Sequence, residues 1–482
     1  MQKYILPLLI CFLVFPYFGY SQNKLKGHIS NSDREAIPYA SLVLKGSSRG
    51  TISNPNGDFE LALADKKKGQ YLSISCIGYK TETFSVDSLW KVQKASQTIN
   101  LILPSHAYQL HEVVVNKQKI VKDPRQIFAK AIEQLPYLLD ASPHIGKYYF
   151  RQTHRDDSSM NRLIEAAVSI YDPGINYKIK DCKFNIDQLQ SSLDNRIFDY
   201  EVLLGVYRLI QKRKNIVKDS ILINASSYND PIVQQHLINA FDNNKASFSK
   251  FFTSTNMIRS AQKERRKSSK KINPWFVNGG PLISKTFLKR HKFKLDTIIQ
   301  YNGEPVYKIK ILPNKNYPGL EGQRDKFIPI GIAYIKLKDY ALFDLDYGYI
   351  NNPKYKGYRF RGKRHGGFKG KFYYHYQFKV SFKEYNNKYY LNYLYSKRGD
   401  YNSSLRMKTG NGRQLLIQEL VNTDIITDRE TVQNQLGKLN WKGNQYEKLS
   451  FNKSFWEKYS TMLPTLEQQN LKENLELELL KK

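Results

Sequence analysis

The stretch 352–383 combines residue types that could bind an anion. It contains ten Lys/Arg and ten Tyr/Phe but no Asp or Glu, and it is densest at 355–367. Guanidinium groups present planar donors that match phosphate or carboxylate oxygens. Cations are stabilised further when they lie over the faces of aromatic rings. The sequence therefore predicts an anion-binding surface, whose candidate residues are Arg359, Arg361, Lys363, Arg364, His365, Lys369 and Lys371.

A simpler interpretation of the same stretch is a solvated hairpin. In the alternation Phe378-Lys379-Val380-Ser381-Phe382-Lys383, the apolar residues would face a sheet and the cations would point to water. A second basic cluster, at 263–271, is interpreted as a loop.

The sequence Gly46-Ser47-Ser48-Arg49-Gly50 matches the G-x-S-x-G pattern of hydrolase nucleophiles. A serine of that kind is exposed on a turn that leads directly into a helix. Here Thr51-Ile52-Ser53 leads into the turn Asn54-Pro55-Asn56-Gly57 and then into another strand. We therefore predict that Ser48 lies in a β-turn and is not a nucleophile.

Metal and cofactor chemistry finds little support in the sequence. None of the nine histidines opens an H-E-x-x-H or an H-x-x-E motif, so paired zinc ligands with a nearby carboxylate are absent at useful spacing. We predict no metal and no cofactor. The acid and base of a hydrolase could come from five carboxylates in the predicted strand region: Glu304, Glu321, Asp325, Asp344 and Asp346. On a basic protein, however, such groups commonly form salt bridges.

Composition limits the class of protein that carries these residues. The chain has 482 residues with 76 Lys+Arg against 43 Asp+Glu, a formal charge of +33, and 41% hydrophobic residues, which predicts folded domains. Residues 24–103 hold 11 basic and 7 acidic side chains, so most of the positive charge lies after them. Beyond the N-terminal segment only Cys76 and Cys182 remain, too few for a disulfide framework or a thiolate zinc site. Cys76 is predicted to be a small core residue of a strand.

Residues 1–21 have the layout of a cleaved signal peptide. Lys3 precedes the apolar run Ile5–Phe18, and cleavage is expected near Ser21. The run is too short for a spanning helix. Export places the protein in the periplasm, at the outer membrane or on the cell surface, and it makes nucleic acid an unsuitable partner for the positive charge.

Residues 24–103 are predicted to form an all-β sandwich, because short apolar runs alternate there with turn formers. Leu25–Ile29, Ile37–Val43, Gly50–Leu61 and Ile77–Lys80 together resemble the carboxypeptidase regulatory-like domain of exported Bacteroidota proteins, including TonB-dependent receptors. The resemblance implies a seven-stranded, transthyretin-like or Ig-like sandwich that serves as an accessory module. Residues 104–122 are assigned to a linker.

Residues 123–482 are predicted to form an α+β domain with a curved antiparallel sheet and several helices. Asp123-Pro124 starts a helix whose apolar positions recur at helical spacing and which Pro136 bends or ends. Further helices are predicted at Arg196–Arg213 and Asp230–Asn239. The predicted strands are Val306–Leu312, Ile332–Leu337, Ala341–Tyr347, Lys371–Phe382 and Tyr389–Tyr395.

Several blocks of this second part are similar to the larger domain attached to the same module in uncharacterised Bacteroidota envelope proteins. They are Gly146–Gln152, Gly331–Ile335, Asp339–Leu342, Gln414–Ile417 and Phe455–Ser460. The resemblance implies a curved sheet with helices, and it carries over no active site.

Three classes of function follow from the sequence. The favoured one is a non-catalytic envelope protein, in which the sandwich mediates assembly and the second domain binds lipopolysaccharide, phospholipid or an acidic glycan. A further candidate partner is another envelope protein. The alternatives are a component of an outer-membrane β-barrel, suggested by aromatic strands such as Lys371–Phe382, and a hydrolase acting on glycan or peptide.

Overall fold

The computed structural model describes somewhat more than half of the chain. The described residues are 24–63, 69–96, 98–105, 121–155, 160–174, 177, 181–191, 285–314, 327–352, 354–355, 358–360, 363–365, 374–399, 415–441 and 452–470. The predicted signal peptide, the predicted helices Arg196–Arg213 and Asp230–Asn239, and the basic cluster at 263–271 lie outside them.

Residues 24–103, called the module below, form a sandwich of seven strands, as predicted. One sheet has three strands in the order β4-β1-β7 and the other has four in the order β3-β2-β5-β6. The strands are β1 Lys24–Ser30, β2 Ser41–Leu44, β3 Gly50–Ile52, β4 Asp58–Ala62, β5 Tyr71–Ser75, β6 Glu82–Ser85 and β7 Ile99–Ile102.

Phe59 and Leu61 of β4, together with Leu63 after it, alternate along the chain and are all buried in the core of the module. The turn before this strand is built as its residue types require. The Asn54 side chain accepts hydrogen bonds from the backbone nitrogens of residues 56 and 58, both at 2.9 Å. Gly57 has a φ of 81°, which glycine adopts without steric cost.

A helix that the sequence reading did not predict, α1 Val86–Ser96, connects β6 to β7. Val86 and Leu89 are buried one helical turn apart and join the core of the module. Asp87 in the first turn and Lys94 in the last turn complement the helix dipole. The segment is short and mostly polar, so its apolar spacing is a weak signal.

The helix α2 Pro124–Leu138 begins where Asp123-Pro124 predicts. The Asp123 carboxylate accepts a hydrogen bond of 2.9 Å from the Arg125 backbone nitrogen. All five predicted apolar positions are buried: Ile127, Phe128, Ala131, Ile132 and Leu135. The helix continues two residues past Pro136 before it ends.

A ten-stranded sheet dominates the second part, and each of the predicted strands there is present. Every neighbouring pair is antiparallel, in the order β10-β9-β8-β19-β18-β17-β14-β13-β12-β11. The strands are β8 His144–Arg155, β9 Met160–Asp172, β10 Lys183–Ser191, β11 His291–Tyr301, β12 Glu304–Pro313, β13 Phe327–Lys336, β14 Leu342–Asn351, β17 Tyr374–Tyr385, β18 Lys388–Gly399 and β19 Leu415–Ile426.

Between β14 and β17 lies a separate two-stranded hairpin of β15 Tyr358–Phe360 and β16 Lys363–His365. Three short helices complete the described elements: α3 Lys285–Arg290, α4 Arg429–Leu436 and α5 Lys453–Lys458. No helix of the described residues is long and apolar enough to cross a membrane.

The two faces of the large sheet differ in chemistry. One is apolar and packs against α2, with residues such as Phe150, Leu345 and Val380 in a single core. The other carries charged and tyrosine side chains, including Arg151 and Glu419. It is covered in part by the module and by residues 452–470, called the C-terminal segment below.

Candidate functional site

The two ends of the large sheet differ sharply in the connections that leave them. At one end, the described strands are joined by the short connections 173–182, 302–303, 337–341 and 386–387, which hold three Lys/Arg and two Asp/Glu. At the other end the strands are joined by 156–159, 192–290, 314–326, 352–373 and 400–414. These hold 32 Lys/Arg and 12 Asp/Glu. We call the second end the basic end.

The predicted anion-binding stretch belongs to the basic end. Its described part includes the hairpin of β15 and β16, whose register pairs Arg359 with Arg364, Tyr358 with His365 and Phe360 with Lys363. The backbone therefore brings four of the seven candidate residues together in one hairpin. The remaining three, Arg361, Lys369 and Lys371, lie outside the described residues.

The two cations at the end of the stretch have partners on the polar face of the sheet. Lys379 Nζ lies 3.2 Å from the Asp346 carboxylate. Lys383 is only 8% exposed, so the expectation that the cations of this strand point to water is wrong for Lys383. The module packs over this position, which the local alternation could not indicate.

The G-x-S-x-G turn joins the module to the sheet. Gly46 adopts a φ of 73° in the turn between β2 and β3, and a strand follows, as predicted. Ser48 Oγ donates a hydrogen bond of 2.5 Å to Asp424 and accepts one of 3.0 Å from the Ile425 backbone nitrogen. Ser48 is 4% exposed, so its hydroxyl is committed to holding the two domains together.

Lys383 strengthens the same junction from another strand of the sheet, β17. Its Nζ atom donates a hydrogen bond of 2.5 Å to the backbone oxygen of Ser48. Burial lowers the pKa of Lys383 to about 7, and the nearby Asp424 carboxylate opposes part of that shift. Arg49 Nε lies 3.5 Å from Asp424, so this carboxylate also takes part in an ion pair with the module.

A row of charged residues crosses the polar face perpendicular to the strands. The strand register aligns Glu165, Arg151, Glu419, Tyr395, Lys379 and Asp346 as direct neighbours. The signs of the charges alternate along this row, which favours each cross-strand pair. The first three residues are buried and the last two are about one third exposed.

Arg151 is the centre of the buried part of the row. Its guanidinium lies 3.3 Å from Glu165 and donates hydrogen bonds to Tyr149 at 2.8 Å and to Gln468 of the C-terminal segment at 3.1 Å. Burial raises the pKa of Glu419, and the Arg151 charge opposes that shift. No feature of the sequence around Arg151 indicated that it would be buried.

Three of the five carboxylates proposed as hydrolase groups are described by the structure, and two of these three have an ion-pair partner. Glu304 pairs with Lys336 at 2.8 Å, and Asp346 accepts hydrogen bonds from Gln377 at 3.0 and 3.1 Å besides its contact with Lys379. Asp344 is half-buried on the same face of β14, where burial and the nearby Asp346 raise its pKa to about 7. The last two of the five, Glu321 and Asp325, lie outside the described residues.

Cys76 directly follows β5 and packs, partly buried, against the core of the module. Burial raises the pKa of its thiol to about 12, which opposes thiolate formation. Among the residues that the structure describes, no three His, Cys, Asp or Glu side chains are arranged to hold a metal ion.

Comparison with known proteins gives a domain assignment for the N-terminal part. No curated protein matches the chain. Among solved structures, a LolA superfamily protein from Nitrosomonas europaea matches with 8% identity and a TM-score of 0.21, over 64% of this chain and 94% of that one. A putative outer membrane lipoprotein-sorting protein domain from Vibrio parahaemolyticus matches with 8% identity and a TM-score of 0.22, over 66% and 98%. Residues 25–115 match the CarboxypepD_reg-like domain family, so the module that packs on the sheet is similar to that domain.

Proposed function

We propose that the protein is a non-catalytic component of the cell envelope that binds an anionic lipid or glycan at the basic end of its sheet. The observation that carries the proposal is the difference between the two ends. Antiparallel strands send alternate connections to opposite ends, and here the long, basic connections all leave from one of them. Charge gathered at one end creates a local positive potential that a charge spread evenly over the surface would not create.

The hairpin at 358–365 is the proposed contact with the anion, with Arg359, Arg361, Lys363, Arg364, His365, Lys369 and Lys371 as its donors. Its register sets Arg359 opposite Arg364, and like charges at directly opposed positions disfavour strand pairing. An anion that binds both residues offsets that repulsion. Phosphate groups of a lipid headgroup or lipopolysaccharide, and carboxylates of an acidic glycan, all supply suitable oxygens.

The module is proposed to serve assembly. It binds the polar face of the sheet through Ser48 and Lys383, so it braces the strands that lead to the basic end. Export through residues 1–21 would place the protein in the periplasm or at the outer membrane, where anionic lipids and glycans are available.

The test compares two variants that remove equal charge from connections at the same end of the sheet. The first changes Arg359, Arg361, Lys363 and Arg364 to Ser, and the control changes Lys263, Arg265, Arg266 and Lys267 to Ser. Binding is measured by co-sedimentation with phosphatidylglycerol vesicles, with lipopolysaccharide and with heparin, and phosphatidylcholine vesicles serve as the neutral reference.

We expect the hairpin variant to lose affinity by about tenfold or more, because each cation near an anionic surface contributes about 1 kcal/mol. The control variant should lose much less. Preference among the three anions identifies the source of the ligand. An equal loss in both variants would show that only net charge matters, and it would overturn the assignment of the site to the hairpin.

A further inference from the structure

A small cavity lies at the end of the sheet opposite to the basic end. It has a volume of about 30 Å³ and is bounded by the first residues of β8 and β18, the last residues of β9 and the segment that follows α2. That volume admits one or two groups of the size of a water molecule. The lining residues are Leu139, Asp140, His144, Tyr148, Ile170, Asp172, Phe382, Tyr389, Tyr390 and Leu391.

The polar lining of the cavity consists mainly of hydrogen-bond acceptors. Asp140 accepts a hydrogen bond of 2.6 Å from the Tyr390 hydroxyl, and Asp172 accepts one of 2.9 Å from the Gly174 backbone nitrogen. His144 Nδ1 lies 3.2 Å from the Ser142 carbonyl oxygen, which can only accept, so Nδ1 carries the proton. In neutral His144 the other ring nitrogen, Nε2, is then an acceptor, and it lies 3.9 Å from the Asp172 carboxylate.

The charge of this cavity is opposite to that of the whole chain. Its lining includes two carboxylates and no Lys or Arg, in a protein with a formal charge of +33. Three tyrosine rings also border it, and the His144 ring meets the Tyr390 ring edge to face at 5.0 Å. Carboxylates attract a cation, and a compact cation with several N–H donors suits acceptors on different walls.

We propose that this cavity binds a primary ammonium group, with Asp172, Asp140 and His144 Nε2 as acceptors and the rings of Tyr148, Tyr389 and Tyr390 around it. An ammonium group is close to water in size and therefore fits the volume, whereas a trimethylammonium group exceeds it. The cavity is separate from the basic end, so binding of an amine there can be tested independently of anion binding. The ligand is a small free amine or the amine of a lipid headgroup.

The test titrates the full-length protein with ethanolamine and follows binding by calorimetry, with choline as the bulky analogue. A ligand of so few atoms is expected to bind with a Kd of about 1 mM. Asp172→Asn keeps the shape of the side chain and its bond to Gly174 but removes the charge, and it should weaken binding about tenfold or more. The control Asp33→Asn removes a charge from an exposed turn of the module and should bind as the wild type does.

The source of the amine is tested with vesicles that contain phosphatidylethanolamine, compared with phosphatidylcholine vesicles, whose headgroup has the same net charge but carries a trimethylammonium group. Binding to the first but not the second identifies the headgroup as the source, and binding to ethanolamine alone identifies a free amine. The proposal is overturned if ethanolamine does not bind, if choline binds equally well, or if Asp172→Asn binds like Asp33→Asn. Circular dichroism of each variant confirms that it is folded.

Discussion

Lys383 Nζ, on the large sheet, donates a hydrogen bond of 2.5 Å to the backbone oxygen of Ser48, in the module. The same serine donates through its hydroxyl to Asp424, on a second strand of the sheet. One turn of the module therefore contacts two strands that are not neighbours, since β18 lies between β17 and β19. These contacts make the module part of the sheet's support, and they can be tested one group at a time.

Ser48→Ala should lower the free energy of unfolding by about 1–3 kcal/mol, because it removes the hydrogen bonds that the buried Ser48 hydroxyl makes with the Asp424 carboxylate and the Ile425 amide. Urea unfolding followed by tryptophan fluorescence measures the change. Ser88→Ala, at an exposed position in α1, is the matched control and should change stability little. A stable Ser48→Ala variant would show that the turn does not hold the domains together.

The junction should also make stability depend on pH. Burial lowers the pKa of Lys383 from its ordinary 10.5 to about 7, so the folded protein holds this proton less tightly than the unfolded chain. Between these two values the unfolded chain binds more protons, and the free energy of unfolding therefore rises with pH, by at most about 1.4 kcal/mol per pH unit. The opposite shift of Asp344, whose pKa burial raises to about 7, acts below pH 7 and leaves the upper range to Lys383.

The measurement is urea unfolding at about pH 7.5 and about pH 9.5 for the wild type and for Lys383→Met, since the difference between the two proteins cancels groups other than Lys383. Lys383 contacts Ser48 and lies near Asp424, which also pairs with Arg49, and none of these residues is changed in the variant. The wild type should gain more stability than the variant over this interval. Parallel profiles would refute a titrating lysine at the junction.

The contrast between Lys379 and Lys383 shows what the sequence could predict. Alternation along β17 correctly placed Phe378, Val380 and Phe382 on the buried side, because side-chain period follows from strand geometry. Which cations meet water depends on what packs over the other face, and that comes from a turn more than 300 residues away in the chain. Such long-range contacts leave no periodic signal in the local sequence.

The same limit applies to the candidate sites. The basic composition of 352–373 is visible in the sequence, but the gathering of basic connections at one end requires the strand order. Asp140 and His144 lie close together in the chain, but Asp172 lies at the end of another strand, and the three gave no motif. Conversely, the sequence predicted that Asp123 caps α2, because helix capping is a contact between residues close in sequence.

Arg151→Met should destabilise the protein by about 3–5 kcal/mol, because it leaves Glu165 and Glu419 buried near one another without their shared cation. Adding Glu165→Gln and Glu419→Gln should recover a large part of that loss, since neutral amides tolerate burial better than carboxylates. Urea unfolding measures all three proteins. Arg49→Met, which breaks a partly exposed ion pair with Asp424, is the control and should cost about 1 kcal/mol or less.

If Arg151→Met unfolds at the same urea concentration as the control, the buried row does not stabilise the sheet. If the triple variant is no more stable than Arg151→Met alone, the loss comes from the packing of Arg151 and its bonds to the C-terminal segment. Either result would be visible without any assay of function.

The C-terminal segment fills the space between the module and the polar face of the sheet. Thr461 pairs with Glu60 of the module, and the Ser460 hydroxyl accepts a hydrogen bond of 3.0 Å from the Ala62 backbone nitrogen. On the other side, Arg151 donates to the Met462 carbonyl oxygen and to Gln468. Trp456 is buried in a cluster that joins residues of the module, the sheet and this segment.

A chain that ends after residue 451 should therefore bind its module weakly. Limited proteolysis should release an intact module fragment from the shortened protein much faster than from the wild type, because the module loses one of the two sets of contacts that hold it. A chain that ends after residue 470 keeps every described contact of the segment and is the matched control. Trp456→Ala, which should cost about 3–5 kcal/mol as a buried Trp, tests the same point in a full-length chain. Equal rates of module release from both shortened chains, together with a Trp456→Ala variant as stable as the wild type, would mean that the turn around Ser48 holds the module without the segment.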